Sequence, residues 1–254
     1  VKFQDLSKVA KDLPEETTIP YSNYTIGYSY FKQKSYSNAS NYFSKVTTSL
    51  KTSKTDITQN NVYIDAVLRL GDCYFMTKDY KKAEQNYSKI IDNNSKGVDY
   101  ALYQKGMLQG LQNNNNGKIS TLQQIKTKYP NSLYMDDALY EIANTYFIMK
   151  QNSSAITGFK ELVASKPNSS YAVKAYLKLG LIYFNEKDYA NSEKYYKMAY
   201  EMSPNSAEGN EAKDGLLDIV EETGDTDAAD GVVPTSAIDQ EKYNYAKNKY
   251  DLGE

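Results

Sequence analysis

Three copies of the tripeptide Pro-Asn-Ser begin at Pro130, Pro167 and Pro204, each 37 residues from the next. Self-similarity at a fixed period of about 20 to 50 residues is the signature of a stacked array, in which one small unit is laid down repeatedly. A chain of 254 residues has room for about seven such units, so the period, rather than the length, sets the architecture.

Helical hairpins need a small residue where their two helices approach closely. Counting back 24 residues from each Pro reaches Gly180, Ala143 and Gly106, and the less regular front half supplies Gly71 in RLGDCYF and Gly27 in TIGYSYF. Each of the five units has two stretches of helical apolar spacing joined by a short polar turn. In the fifth, Tyr176, Leu179, Gly180 and Tyr183 share one face, NEKD interrupts, and Tyr189, Ser192, Tyr196 and Ala199 resume it. No long stretch alternates with period two, so the chain reads as all-helical. Pro stops the second helix of a unit by breaking the hydrogen-bond ladder, and the Ser two residues later is placed to cap the next helix. Asp65, Asp99, Asp136 and Asp137 fall near the starts of first helices, where the helix dipole favours them.

Leu179-Gly180 followed by Tyr183, Ser192, Tyr196 and Pro204 resembles the tetratricopeptide repeat pattern of Leu-Gly, Tyr, Ala, Phe and Pro. Ile26-Gly27-Tyr30 with Ala39 and Phe43, Leu70-Gly71-Tyr74 with Ala83 and Tyr87, and Ile142-Ala143-Tyr146 with Ala155, Phe159 and Pro167 fit it as well. The resemblance implies an all-α, right-handed α-solenoid of tetratricopeptide-type helical hairpins. The five units span about 20–59, 60–97, 98–132, 133–169 and 170–205. The family unit is about 34 residues, so the three extra residues of the 37-residue intervals are expected to lengthen the first helices by about one turn. The third unit carries Lys105-Gly106, Gln109 and Lys118 at pattern positions and is expected to be the least tightly packed, with Asn113 to Asn116 as its turn. Between the first two units, TTSLKTSKTDITQNN reads as a longer second helix or a polar loop. Residues 1–19 read as the second helix of a preceding partial repeat, 206–235 as a degenerate acidic sixth repeat and 236–254 as the first helix of a truncated further one. The chain therefore reads as a piece of a longer repeat protein.

The formal net charge is -2, and Arg69 is the only Arg. No clustered basic face marks a nucleic-acid binder. There is no His, which removes His-based triads and zinc sites, and no phosphate-cradling glycine motif, so neither cofactor nor metal is expected. Cys73 reads as a buried packing residue, with no base in view to make it a nucleophile. Carboxylates are the remaining catalytic material. A glycoside hydrolase needs two, and MDDALYE offers Asp136, Asp137 and Glu141, although the recurrence of Asp at helix starts has a dipole explanation. The chain is expected not to be an enzyme. No apolar run approaches the roughly 20 residues of a membrane span.

Most of the 26 Tyr residues fall where the family buries an aromatic. In that family, first helices line a concave groove that binds a peptide or protein partner. Carried over, the candidate groove contacts are Tyr21, Tyr24, Tyr28, Tyr103, Met107, Tyr140, Asn144, Leu181 and Asn185, with Phe31, Phe75, Phe147 and Phe184 at the edge. The Lys, Arg and Asn clamp of chaperone-binding members is replaced here mainly by Tyr and Leu, so that ligand is not expected. The 37-residue variant also resembles repeats of bacterial cell-envelope proteins of Tol-Pal and outer-membrane-assembly type. That makes a periplasmic or outer-membrane-associated scaffold the first expectation, and a cytoplasmic adaptor or the sensory part of a regulator the alternative.

Overall fold

The computed structural model describes residues 15–51 and 60–252. Among them are helices and turns and no strand. Five hairpins follow one another: α1 (Glu15–Lys32) with α2 (Tyr36–Lys51), α3 (Asn61–Met76) with α4 (Tyr80–Asp92), α5 (Val98–Leu111) with α6 (Asn115–Lys128), α7 (Met135–Ile148) with α8 (Asn152–Ser165), and α9 (Ala172–Asn185) with α10 (Tyr189–Met202). Then come α11 (Ala207–Thr223), a 3-10 turn (Thr226–Ala228) and α12 (Thr235–Leu252). The described chain falls into two compact units, divided between Tyr134 and Met135. Within each, hairpin stacks on hairpin, as in a helical-hairpin solenoid.

The small residues do what their spacing implies. A Cβ added to Gly27 would stand 2.9 Å from the Phe43 ring, one on Gly71 2.5 Å from Tyr87, and one on Gly180 2.7 Å from Tyr196. Gly106 meets Leu122 in the same way at 2.7 Å, and in the fourth hairpin a Cβ on Gly158 would lie 2.8 Å from that of Ala143. Each contact joins the first helix of a hairpin to the second, and Phe43, Tyr87, Leu122 and Phe159 are fully buried. Tyr196 is clasped twice, because Gly215 on α11 faces its ring from a second helix. In the third hairpin the polar replacements serve each other: Thr121 Oγ1 donates to Gln109 Oε1 at 2.8 Å.

Seven residues after each small residue the backbone turns left-handed: Lys34, Lys78, Asn113, Lys150 and Lys187 have φ of 57 to 62°. The next residue's N–H then reaches back to a carbonyl five residues earlier, from Ser35 to Tyr30, Asp79 to Tyr74, Asn114 to Gln109, Gln151 to Tyr146 and Asp188 to Tyr183, at 2.8–2.9 Å. These are Schellman closures, which satisfy carbonyls the helix end leaves open. Of the expected turn Asn113 to Asn116, Asn113 takes the positive φ that Asn tolerates, Asn114 caps α6, and Asn115 and Asn116 already belong to that helix; the four Lys take positive φ without any sequence signature of it.

Pro-Asn-Ser is punctuation, in two forms. Ser206 caps α11 by accepting the Gly209 N–H at 3.0 Å. Ser132 and Ser169 instead accept from Tyr134 and Tyr171, one residue ahead of the helix, at 3.0 and 3.2 Å. This explains a departure from expectation. In the 37-residue intervals α7 and α9 are 14 residues long, as is α5, so the extra residues build that turn and do not lengthen the helix.

Other boundaries shift too. Residues 15–19 open α1 rather than ending a preceding helix, and residues 1–14, the rest of that expected helix, lie outside the described residues. So do 52–59 of the long connection, which follows α2 after Lys51. Ile238 of α12 joins the core of α11, and the Tyr245 ring lies 2.6 Å from where a Gly224 Cβ would be. No described helix is long and apolar enough to cross a membrane.

Replacing Gly180 with Leu drives a side chain into a ring already pinned by Gly215, and overpacking of this kind costs about 1–3 kcal/mol. The urea midpoint of Gly180→Leu is expected to fall accordingly; an unchanged midpoint would show that the contact can yield.

Candidate functional site

The only Arg stands at the centre of the first compact unit. Its helix, α3, also carries Asp65 four residues before it and Asp72 three after, on neighbouring turns of one face. Arg69 Nε reaches Asp65 Oδ1 at 3.4 Å, and Nη1 is hydrogen-bonded to Asp72 Oδ2. The neighbouring hairpins then add phenols. From α1, Tyr24 and Tyr28 donate to Asp65 Oδ2 at 2.8 and 2.5 Å. From α4 and α5, Tyr87 and Tyr100 donate to Asp72 Oδ1 at 2.9 and 2.8 Å. The guanidinium lies between two rings, 6.0 Å from the Phe31 centroid and 5.3 Å from that of Tyr100.

The electrostatics follow from this placement. Burial pushes the Asp72 carboxyl above the ordinary aspartate value, against the pull of Arg69. Burial also works against the charge of Arg69, but Asp72 and Asp65 outweigh it and hold the guanidinium above its usual range. Burial raises the four phenols, and their aspartate acceptors raise them further. They remain neutral donors. Cys73, beside this network, is fully buried, and burial followed by the nearby Asp72 pushes its thiol up to about 12, in keeping with a packing role.

In front of the network lies a cleft of about 440 Å³. Its wall is Tyr24 of α1, Ile64, Asp65, Leu68 and Arg69 of α3, Tyr100 of α5, and Leu133 and Tyr134 of the turn after α6, with Asn61, Lys96, Gly97 and Asp99 at the margins. Tyr134 stacks on Tyr103, with centroids 5.4 Å apart and planes at 18°, and tilts against Tyr100. Asp99 is tied down by Ser132 Oγ at 2.7 Å and by the Tyr100 N–H at 2.9 Å. The volume is that of ordinary ligand sites, and aromatic and aliphatic side chains share the lining with Asn61, Asp65, Arg69, Lys96 and Asp99.

The structure treats the expected groove residues unequally. Tyr24 lines the cleft, Tyr28 stands behind it against Phe43, and Tyr103 supports Tyr134 from one side. Tyr21 is 53 % exposed, and Met107 is half-buried. In the second compact unit Tyr140 stacks on Tyr171 at 4.8 Å, Asn144 and Leu181 are half-buried, and Asn185 is exposed at the end of α9. Phe31, Phe75 and Phe184 turn their rings edge-on to Tyr36, Tyr80 and Tyr189 across the hairpin turns, and Phe147 lies under Lys178. The first three of these Phe brace turns. Asp65 also departs from expectation: it lies beyond the first turn of α3 and serves the network, while Asp99, Asp136 and Asp137 do sit in first turns. Asp136 pairs with Lys166 at 3.5 Å and Asp137 accepts from the Tyr171 hydroxyl at 2.8 Å, so both have structural partners.

Sequence reasoning missed Arg69, Asp72, Tyr100, Leu133 and Tyr134 as site residues. Arg69, the chain's only Arg, was the available signal.

Removing the cation should leave Asp72 buried and uncompensated, a loss of about 3–5 kcal/mol. For Arg69→Met that deficit is expected at pH 7. A carboxyl whose folded pKa lies above its unfolded value of about 3.9 costs stability only when ionised, so the deficit should shrink as the pH falls. Urea midpoints of both proteins at pH 7 and 5 check this; a gap that widens at pH 5 contradicts it.

Two models of the tetratricopeptide repeat match the chain, one over residues 20–49 and 173–206, the other over 65–96 and 100–132. A comparison with curated protein sequences gives no match. Among solved structures, the chain is similar to MamA protein at 23% identity and a TM-score of 0.57, over 74% of this chain and 91% of MamA. It is similar to YrrB, described as a TPR protein with an unusual peptide-binding site, at 13% and 0.57, over 84% and 98% of the two chains. A tetratricopeptide repeat protein from Parabacteroides merdae is similar at 13% and 0.63, over 92% and 88%. At such identities the likeness is one of fold.

Proposed function

Since the chain belongs to the tetratricopeptide repeat family, whose members are generally non-enzymatic protein-interaction scaffolds, we propose that its cleft between Tyr24 and Tyr134 docks an extended segment of a partner protein. The observation that carries this reading is the division of chemistry in the cleft. Asp65 and Arg69 are paired to each other and to phenols or Asp72, and Asp99 is held by Ser132 and the Tyr100 N–H, so what the inner wall offers is fixed aromatic and aliphatic surface. A rigid surface loses little entropy when a segment docks on it. YrrB, of the same fold, carries a peptide-binding site, which supports the choice of ligand class. We place this role in the bacterial cell envelope, on the resemblance of the 37-residue repeats to those of envelope proteins.

A photo-crosslinking residue at Leu133, in cells producing the protein, is expected to trap a partner from the envelope fraction. The same residue at exposed Tyr243 should not trap it. Equal trapping at both positions would remove the docking role, and a partner found only in cytosol would overturn the envelope placement.

A further inference from the structure

We propose that the cleft selects a partner segment in which a large apolar side chain stands beside a carboxylate. This deepens the docking role above and rests on it. The apolar half of the claim starts from Leu133, which is 91 % exposed at the lip of the cleft. The residue after Pro-Asn-Ser is Leu133 in the first copy, Ser170 in the second and Ala207 in the third. The second copy builds the same turn with Ser170, and in the third Ala207 opens a helix that Ser206 caps, so nothing in the fold asks for the leucine. What it provides is an aliphatic surface next to the Tyr134 and Tyr100 rings, against which another apolar side chain can be withdrawn from water.

The charged half follows from which groups are already engaged. Asp65 accepts from Tyr24, Tyr28 and Arg69, and Asp99 accepts from Ser132 and the Tyr100 N–H. Arg69 is held between Asp65 and Asp72. Lys96 differs from all of them. It is exposed on the connection into α5 and makes no ion pair among the described residues. Gly97, with φ of 80°, turns the chain immediately after it, and a Cβ there would stand 3.1 Å from Leu68 of the cleft wall. The cation left to a ligand is thus at the margin of the same cleft whose lip is Leu133, and its complement is a carboxylate.

The test is selection of random segments, displayed internally so that no chain terminus is presented, on the intact protein. Recovered segments should pair Leu, Ile, Met or Phe with a neighbouring Asp or Glu. Leu133→Ser should lower their binding about tenfold or more, since the partner's apolar side chain loses the aliphatic surface that withdraws it from water. Lys96→Glu should turn the preference towards Lys or Arg. Segments without acidic excess, or a preference untouched by Lys96→Glu, would overturn the ligand chemistry; if Leu133 still crosslinks a partner, the docking role survives. Selection that enriches nothing also overturns the ligand chemistry, and the absence of any Leu133 crosslink would remove both.

Discussion

In four of the five hairpins a glycine on the first helix meets a large side chain sixteen residues later, at a distance that leaves no room for a further carbon, and in the fourth Ala143 meets Gly158 as closely. Helix separation depends on the side chains at the contact, so this one pairing sets how closely each hairpin closes. The left-handed turn seven residues on and the cap that follows lie between the two ends of that contact and make its geometry reachable. Cores between successive hairpins are then built from the outer faces, as Phe43, Val46, Ala66 and Leu70 show for the first two. Because stacking occurs between neighbours, folding makes demands on these repeated positions and few on the remaining first-helix face.

That freedom is used at Arg69. A buried ion cluster is weak evidence for stability, since the same volume of apolar side chains often serves better. Here it joins hairpins whose hydrogen-bonded partners are 41, 37 and 28 residues apart in sequence. The network fixes α1, α3 and α5 against each other by directional bonds, which apolar packing alone does not provide. A cleft lined by those three helices is preformed as a result, and its interior polar groups are spent on one another.

The hairpins were legible because their small and aromatic residues recur at a constant interval, and a periodic signal survives local noise. The Schellman turns were legible at Asn113, where the residue type advertises positive φ, and hidden at Lys34, Lys78, Lys150 and Lys187, where the demand comes from the hairpin contact. The lengths of α7 and α9 were misjudged because a Ser that accepts from the N–H two residues on can end a turn as well as cap a helix. Tyr24 was expected on the groove face from its register, and it lines the cleft. Its partner was not foreseen, because an Asp near a helix start has a dipole explanation that conceals a second use, as at Asp65. Leu133 lay directly after the punctuation, in a position that the three copies do not share.

The repeated contacts that fold the chain are distinct from the cleft surface proposed to bind. Hydrogen exchange of the intact protein, alone and with the partner trapped through Leu133, tests that separation most directly. Protection should appear on α1, α3, α5 and the turn before α7, with α2 and α4 unchanged. Protection centred on α2 and α4, with α3 unaffected, would contradict it.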